Sequence, residues 1–343
     1  MRDTLTEDQI ARVVTAAVAA PSIHNTQPWH FAVSGNSLLL LASPGRALPV
    51  ADPDARALYL SCGAALYNAR VALRFLGRNP CVRILPHPEY PFDVLAILTA
   101  ENGTAPSRDE TAEFDAIWRR HTDRRPYSGK PVPAATLAKL ERAARRESAT
   151  VRMLGPDECI AALQRASTAT REMAADTRHQ HELRHWVTTG RRDGIPLNAL
   201  PEPPRHLPSP VRDADLLGAA YAAPAQVVSY EEHPQLVQLS TPADEPADWL
   251  RAGQALQRCL LAATAEGLSA SFLYQAIERN DMREASDRSV SASEHCQMII
   301  RLGYGSHPAR TPRRPLSDVM STRFAPGRNA PDYSRGRRGD ADR

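Results

Sequence analysis

The feature that most constrains the fold is an internal repeat with a constant spacing of 190 positions. Residues 60–66 and 250–256 are similar, and the register continues without a gap to a glycine at the end of each stretch. Apolar residues at helical spacing followed by glycine predict one long helix in each stretch, with a face of small residues that allows close packing. The matched pairs are Leu60 and Leu250, Gly63 and Gly253, Leu66 and Leu256, Ala72 and Ala262, and Gly77 and Gly267.

The helices expected at the start of the two halves also correspond, at a spacing of 127 positions. Ile10, Val13, Ala16 and Ala17 fall opposite Leu137, Leu140, Ala143 and Ala144. The halves are unequal because the second contains a segment rich in Pro, Arg and His at about residues 180–215, a composition typical of an inserted loop. We therefore expect a first half at residues 1–115, a second half at 116–322 that contains the lid-like insertion, and a disordered tail at 323–343.

Residues 21–31 (PSIHNTQPWHF) predict a polar loop between a helix and a strand. Pro21 follows an apolar helical run and should end it, while Trp29 leads into an apolar strand. Ser22 and Asn25 offer hydrogen-bond donors and acceptors at the mouth of the sheet, where ligands commonly bind. The alternative is a structural joint in which Trp29 anchors the core.

Two motifs resemble signatures of the nitroreductase family of FMN enzymes. Residues 21–29 follow the pattern Pro-Ser-x-x-Asn-x-Gln-Pro-Trp, and residues 120–127 (RHTDRRPY) resemble the family's Arg-x-Ser/Thr-x-Arg/Lys motif. Residues 130–133 and the helical run at 136–146 are similar to the usual sequel. Together the two motifs are more specific than either alone.

The resemblance implies one FMN site in a fused pseudo-dimer. Ordinary nitroreductases are intertwined dimers with the flavin at the subunit interface, where the two motifs face each other. Here each motif occurs once, in opposite halves, a pattern similar to the Acg-type branch of the family. The implied fold is α+β, with two four- or five-stranded antiparallel sheets in a monomer that can also form a further dimer.

Site residues are implied by the same resemblance. Arg120 and Thr122 would hold the flavin phosphate, and Arg124 would face the N1/O2 edge of the ring, where positive charge favours the reduced anion. Residues 270–275 fall where relatives present backbone donors to N5, although their composition departs from the family's. The predicted cofactor-binding residues are Pro21, Ser22, Ile23, Asn25, Arg120, Thr122, Arg124, Tyr274, Gln275, Arg313 and Arg314.

Some basic residues have alternative interpretations. Arg124 and Arg125 are also compatible with a solvated basic run at a helix end. The closing segment at residues 310–316 resembles the part of the family that returns a basic residue to the phosphate, and its register leaves Arg310, Arg313 and Arg314 open, with a plain charged turn as the alternative.

Three functions are compatible with these motifs. The first is an oxidoreductase in which NAD(P)H reduces FMN and the flavin then reduces a nitroaromatic, quinone or similar acceptor. The second is a non-enzymatic flavoprotein that sequesters FMN beneath the insertion, and the third is a flavin-responsive interaction protein that uses the Arg-rich tail. Lids also open during turnover, so the insertion does not decide between the first two.

Composition argues against several other classes. A net charge of +3, with arginines interleaved with acids, indicates a solvated surface rather than a nucleic-acid stripe. The five cysteines are scattered and do not suggest disulfides or zinc, and we interpret the histidines at 179, 181 and 185 as a polar helix face. No apolar run approaches the roughly 20 residues needed to cross a bilayer, so a cytoplasmic protein is expected.

Overall fold

The computed structural model describes residues 4–86, 94–188, 190–196, 231–279, 282–283, 294–305 and 310–321. Within these ranges the helices are α1 (Glu7–Val18), α2 (Arg56–Phe75), α3 (Arg108–Arg119), α4 (Ala134–Arg145), α5 (Pro156–Ala175), α6 (Thr177–Trp186), α7 (Pro246–Ala265) and α8 (Leu316–Val319). The strands are β1 (Trp29–Ser34), β2 (Ser37–Ala42), β3 (Arg78–Ile84), β4 (Ala96–Asn102), β5 (Thr150–Met153), β6 (Val187–Thr188), β7 (Ile195–Pro196), β8 (Gln235–Thr241), β9 (Ser269–Phe272), β10 (His295–Gly303) and β11 (Met320–Ser321).

The two main sheets share one strand order. The first is β11-β1-β2-β4-β3 and the second is β5-β8-β10-β9, so that β1, β2, β4 and β3 correspond to β5, β8, β10 and β9. Along the chain, α2 follows β2 and α7 follows β8. The expected α+β class, with one sheet of five strands and one of four, is thereby confirmed. The common order supports the internal duplication, which itself stays a prediction.

The expectation of purely antiparallel sheets was wrong at one edge. β11 pairs with β1 in parallel, with Phe31 opposite Met320. The physical reason is that the last described segment of the chain runs back to the first sheet and adds a strand to its edge. The second half therefore helps to complete the first. A separate parallel pair, β6 with β7, lies in the insertion.

The two long helices α2 and α7 cross at a pair of glycines. A Cβ atom added to Gly63 would overlap the carbonyl oxygen of Leu250, and one added to Gly253 would overlap that of Leu60. The contact is therefore reciprocal, as in an isologous interface. Both helices are followed by a glycine with positive φ, Gly77 or Gly267, as the sequence predicted.

Two large apolar cores flank this crossing. One packs α1 and α2 against the first sheet, and the other packs α4 and α7 against the second. Leu60 of α2 belongs to the second core and Leu250 of α7 to the first, so each long helix contributes to both. Burying these side chains is the main favourable term in holding the halves together.

The predicted boundary between the halves lies within a helix of the structure. The division between residues 115 and 116 falls inside α3, so the halves are joined by a helix. Part of the predicted insertion, residues 197–215, and the predicted tail, residues 323–343, lie outside the described residues. Among the helices described, none is long and apolar enough to span a membrane.

Candidate functional site

The site loop, residues 21–27, has an unusual backbone. His24, Asn25 and Gln27 have φ values of 45°, 53° and 51°, a left-handed conformation that costs energy for residues with a Cβ. Within the loop, the Gln27 N–H donates to the Ser22 hydroxyl at 3.0 Å. The Ile23 N–H donates to the hydroxyl of Ser61 on α2 at 3.2 Å, so predicted site residues Ser22 and Ile23 help to fix the loop.

Asn25 joins three segments of the chain. Its side-chain amide donates to the carbonyls of Gly194 at 2.8 Å and Pro312 at 3.1 Å. Its side-chain oxygen accepts from Arg313 at 3.1 Å. Because both amide hydrogens are used inside the protein, Asn25 shapes the loop through its side chain, and its predicted contact with a cofactor stays a prediction.

A narrow pocket lies beside this loop at the boundary between the halves. Its walls come from the loop, from α2 and α7, from Arg124 and from the chain around β9. The cavity volume is ≈ 60 Å³, room for about four to six water molecules. The lining residues are Pro21, Ser22, Ile23, His24, Ala57, Leu60, Ser61, Ala64, Arg124, Leu256, Phe272, Tyr274, Glu278 and Met298.

Arg120 lies at the C-terminal end of α3 with a buried guanidinium. The residue is 7 % exposed, and in the described part of the chain its Nε has no hydrogen-bond partner. Burial, followed by the neighbouring charge of Arg313, lowers the pKa of Arg120 to about 9. A buried cation beside a second cation favours an anion between or beside them.

The second motif is fixed to the second sheet by its backbone. Thr122 pairs with Ala270 in a parallel bridge, and the Asp123 N–H donates to the Ala270 carbonyl at 2.9 Å. The buried Asp123 carboxylate then accepts from the backbone N–H and the Nε of Arg125, both at 3.1 Å. This turn positions Arg124 in the pocket wall. Asp123 was not among the predicted residues, although an acid inside an arginine-rich motif is a sign of such a turn.

Arg313 is brought to the site loop, but its donors are occupied. Its guanidinium donates to the carbonyls of Val18 at 2.7 Å and of Ala19 and Ala20 at 3.1 Å. These carbonyls end α1 and lack helical partners. Burial lowers the pKa of Arg313 to about 10. Arg313 therefore closes α1 and adds positive charge near Arg120.

The other two candidate arginines of this segment lie farther out. The Arg314 N–H donates to the side chain of Gln27 at 2.9 Å, and its guanidinium donates to the Asp318 carbonyl at 2.6 Å. Arg310 donates to the Trp118 carbonyl at 3.0 Å from an exposed position. Of the three, Arg313 is the one whose charge acts on Arg120.

The pocket also contains polar residues that the sequence analysis did not select. His24 lies 2.8 Å from the Tyr274 hydroxyl, and burial, followed by the charges of His179 and Arg124, lowers the pKa of His24 to about 3. Burial raises the pKa of Glu278 to about 7, opposed by Arg56, whose guanidinium lies 2.6 Å away. His24 stands at an unspecified position inside the first motif, so the sequence could have suggested it as a site residue. Nothing in the sequence indicates Glu278.

Gln275 and the three histidines of α6 were also considered in the sequence. Gln275 is buried, and among the described residues its side-chain oxygen has no hydrogen-bond partner. Within the ranges that the structure describes, no group of three His, Cys, Asp or Glu residues is placed to hold a metal ion. His179 on α6 is itself buried, so the three histidines of that helix do not form one exposed face.

Comparison with known proteins decides the family. Residues 117–304 match the Nitroreductase family, more than half of the chain. The chain belongs to the nitroreductase family. Its nitroreductase relatives include two proteins of Mycobacterium tuberculosis (strain ATCC 25618 / H37Rv). "Putative NAD(P)H nitroreductase Rv3131" is 34% identical over 319 residues, which cover 91% of each chain.

The second relative, "Putative NAD(P)H nitroreductase acg", is 28% identical over 334 residues, covering 94% of this chain and 98% of its own. The resemblance to the Acg-type branch is therefore confirmed. Among solved structures, a nitroreductase with bound FMN from Desulfitobacterium hafniense DCB-2 aligns with 62% of this chain and 98% of its own, at 13% identity and a TM-score of 0.39.

Proposed function

We propose that this member of the nitroreductase family binds one FMN between its halves and is an NAD(P)H-dependent oxidoreductase for nitroaromatic, quinone or similar acceptors. When bound, FMN supplies the two-electron chemistry, while the protein supplies binding, orientation and field. The single observation that carries the proposal is the buried guanidinium of Arg120, whose Nε lacks a hydrogen-bond partner in the described residues.

The phosphate end of FMN fits this cation. An ionised group without a partner is unfavourable in the protein interior, and a phosphate dianion would offer charge-assisted, bidentate hydrogen bonds to a guanidinium. Arg313 contributes charge nearby but has its donors occupied by α1 carbonyls. Arg120 is therefore the residue we assign to the phosphate, with Arg313 stabilising it at longer range.

The pocket has a chemical character that suits the flavin ring, although it is narrow. Its walls are mainly apolar, with Arg124 on one side and the His24–Tyr274 pair on another. A ring of three fused cycles needs more than ≈ 60 Å³, so the pocket must widen when the ring binds. Arg124 would then place a permanent positive charge beside the ring and favour a reduced, anionic ligand.

The other side of the helix crossing carries different side chains at two of the equivalent positions. The pocket is lined by small residues of α2, namely Ala57, Ser61 and Ala64. At the spacing of 190 positions, α7 carries Ala247, Arg251 and Gln254. Gln254 is buried and accepts from Arg70, which also pairs with the buried Glu147 at 2.6 Å. The larger Arg251 and Gln254 thus stand where the pocket has Ser61 and Ala64, which supports one FMN per chain.

An FMN-sequestering function is the second candidate, and one observation favours it. The described part of the insertion packs directly against the site loop, with Trp186 beside Ile23. An element on that side can limit access of nicotinamide to a bound ring, because hydride transfer requires close stacking.

Anaerobic mixing of the FMN-loaded protein with NADH or NADPH separates these two functions. For an oxidoreductase we expect loss of the oxidised flavin absorbance within seconds and its return when a quinone is added. A flavin that stays oxidised with both nucleotides, yet is reduced by dithionite, would contradict the oxidoreductase and favour sequestration.

A further inference from the structure

The insertion is attached to the first half at two anchor points before it reaches the site loop. On α6, the Glu182 carboxylate accepts the backbone N–H groups of Val50 at 3.1 Å and Ala51 at 2.8 Å. At the end of the same helix, the buried Trp186 packs with Leu48 and Ile23. This combination of an apolar anchor and bonded backbone donors fixes the end of α6 beside the loop.

Beyond these anchors, the insertion bonds to the loop residues that have left-handed backbone. The Gly194 carbonyl accepts from the Asn25 side chain at 2.8 Å, and the Gly194 N–H donates to the Asn25 carbonyl at 3.2 Å. The Arg192 carbonyl accepts from the Gln27 side chain at 3.0 Å. Gly194 itself has a φ of 74°, a conformation that favours glycine.

An ion pair lies between these two backbone contacts. One nitrogen of Arg46 donates both to the Asp193 carboxylate at 2.9 Å and to the Thr26 carbonyl at 2.7 Å. The Arg46 side chain is 21% exposed and that of Asp193 is 10% exposed. Arg46 therefore connects the insertion, the site loop and the turn after β2 through a pair that is largely shielded from solvent.

We propose that residues 192–194 are the positioning element of the site loop and that the Arg46–Asp193 pair determines how firmly the loop retains FMN. A loop with three left-handed residues keeps its shape only when contacts outside it compensate the strain. The insertion provides three of those contacts, to Asn25 through Gly194, to Gln27 through Arg192 and to Thr26 through Arg46. It acts through the loop rather than on the ligand, and this inference rests on the proposed binding of FMN at the pocket.

This role differs from that of a simple lid. If the insertion only covered the flavin, weakening its tip would leave FMN bound and open the site to nicotinamide. Because Gly194 holds Asn25 directly and Asp193 holds Thr26 through Arg46, weakening the tip should instead release the loop. FMN retention and nicotinamide access therefore distinguish the two roles.

The test compares Arg46→Met, Asp193→Asn and the double variant in the full-length protein, with Arg184→Met on the exposed face of α6 as the control. FMN dissociation is followed by the rise in flavin fluorescence, and hydrogen exchange of residues 22–27 is measured without FMN. We expect each single change to speed FMN dissociation about tenfold, as loss of one charge-assisted bond would do. The double variant should dissociate FMN more slowly than the product of the two single effects predicts, because the singles share the Arg46–Asp193 contact, although Asp193 also pairs with Arg191 at 2.9 Å and Arg46 also bonds Thr26.

Arg46→Lys keeps the charge but replaces the planar guanidinium by a compact ammonium on a more flexible stem, so we expect an intermediate dissociation rate. Unchanged dissociation and exchange in both single variants, or fully additive free-energy effects on FMN dissociation in the double variant, would overturn the proposal. If the wild-type protein takes up no FMN, the proposed function fails. The exchange measurement then still decides whether residues 192–194 hold the loop.

Discussion

At the scale of single residues, the site is dominated by buried positive charge. Arg120 and Arg313 are both buried, and burial lowers the pKa of each, to about 9 and about 10. Arg313 offsets this cost with the free carbonyls at the end of α1, whereas the Arg120 Nε has no such partner in the described chain. From this difference we propose a structural role for Arg313 and a ligand-binding role for Arg120.

Replacing Arg120 should weaken binding of FMN but not of riboflavin. A lost charge-assisted bond costs about 1.5–3 kcal/mol, so Arg120→Ala should raise the Kd for FMN by roughly 10- to 150-fold. Riboflavin lacks the phosphate and should bind both proteins equally and weakly. Fluorescence titration measures both ligands, with the exposed Arg119→Ala as the control. Equal losses for FMN and riboflavin would place Arg120 away from the phosphate.

Replacing Arg124 should change the redox properties more than the affinity. A positive charge near the ring stabilises the reduced anion more than the neutral oxidised form. Arg124→Ala should therefore lower the flavin reduction potential, while Arg120→Ala, acting on both redox states alike, should leave it nearly unchanged. Anaerobic potentiometry provides the comparison, and an unaltered potential in the Arg124 variant would refute its placement beside the ring.

His24 should make the protein sensitive to acid. Burial, then the charges of His179 and Arg124, lowers the pKa of His24 from 6.5 to about 3, so the unfolded chain binds this proton more readily than the native state. Above pH 6.5 His24 is neutral in both states and does not reduce the free energy of unfolding. As the pH falls from 6.5 towards 3, the unfolded state takes up the proton first and the free energy of unfolding decreases. His24→Gln should flatten this dependence.

Urea unfolding between pH 7.5 and 4.5 measures the effect, with the exposed His181→Gln as a control. Equal pH slopes for the His24 variant and the wild type would show that this group is not the source of acid sensitivity.

At the scale of secondary-structure elements, the crossing of α2 and α7 holds the two halves at one distance. Gly63 and Gly253 allow it because neither helix has room for a Cβ at that point. The crossing also aligns Leu60 and Leu256 in the pocket wall. A change in the distance between the helices should therefore reach the site.

Gly63→Ala tests this packing because we expect it to lower the stability of the protein, whereas the same substitution at an ordinary helix position raises it. Alanine usually stabilises a helix by about 0.5–1 kcal/mol relative to glycine. Here the added methyl group meets the Leu250 carbonyl, and overpacking costs about 1–3 kcal/mol or more.

We expect net destabilisation and a lower Tm, while Gly129→Ala, which has open space around it, should change little. A Gly63→Ala protein as stable as the wild type would contradict the close crossing.

The sequence predicted the elements of this site better than their connections. The polar loop after Pro21 and the two long helices follow from local patterns of proline, glycine and apolar spacing, whereas the left-handed backbone of the loop was not predicted. The His24–Tyr274 contact joins residues 250 positions apart, and no local pattern specifies such a pair. The redirection of Arg313 to α1 is likewise decided by which carbonyls the folded chain leaves free. The binding roles of the predicted residues stay predictions.

At the scale of the whole molecule, the two halves have the same strand order but different side chains at equivalent positions. Ser61 and Ala64 line the pocket, whereas the corresponding positions of α7 carry the larger Arg251 and the buried Gln254. A duplicated unit can lose one of its two sites in this way while retaining the packing that needs both halves. We therefore propose that this single chain carries the interface of a dimer within itself.

Titration of the flavin-free protein with FMN tests this central claim most directly. Arg120 and the pocket beside residues 21–27 occur once in the chain, so binding should saturate at one FMN per chain. The same stoichiometry should follow from absorbance after removal of free flavin. Saturation at two FMN per chain would contradict the loss of the second site, and a protein that takes up no FMN would contradict the assignment of the pocket.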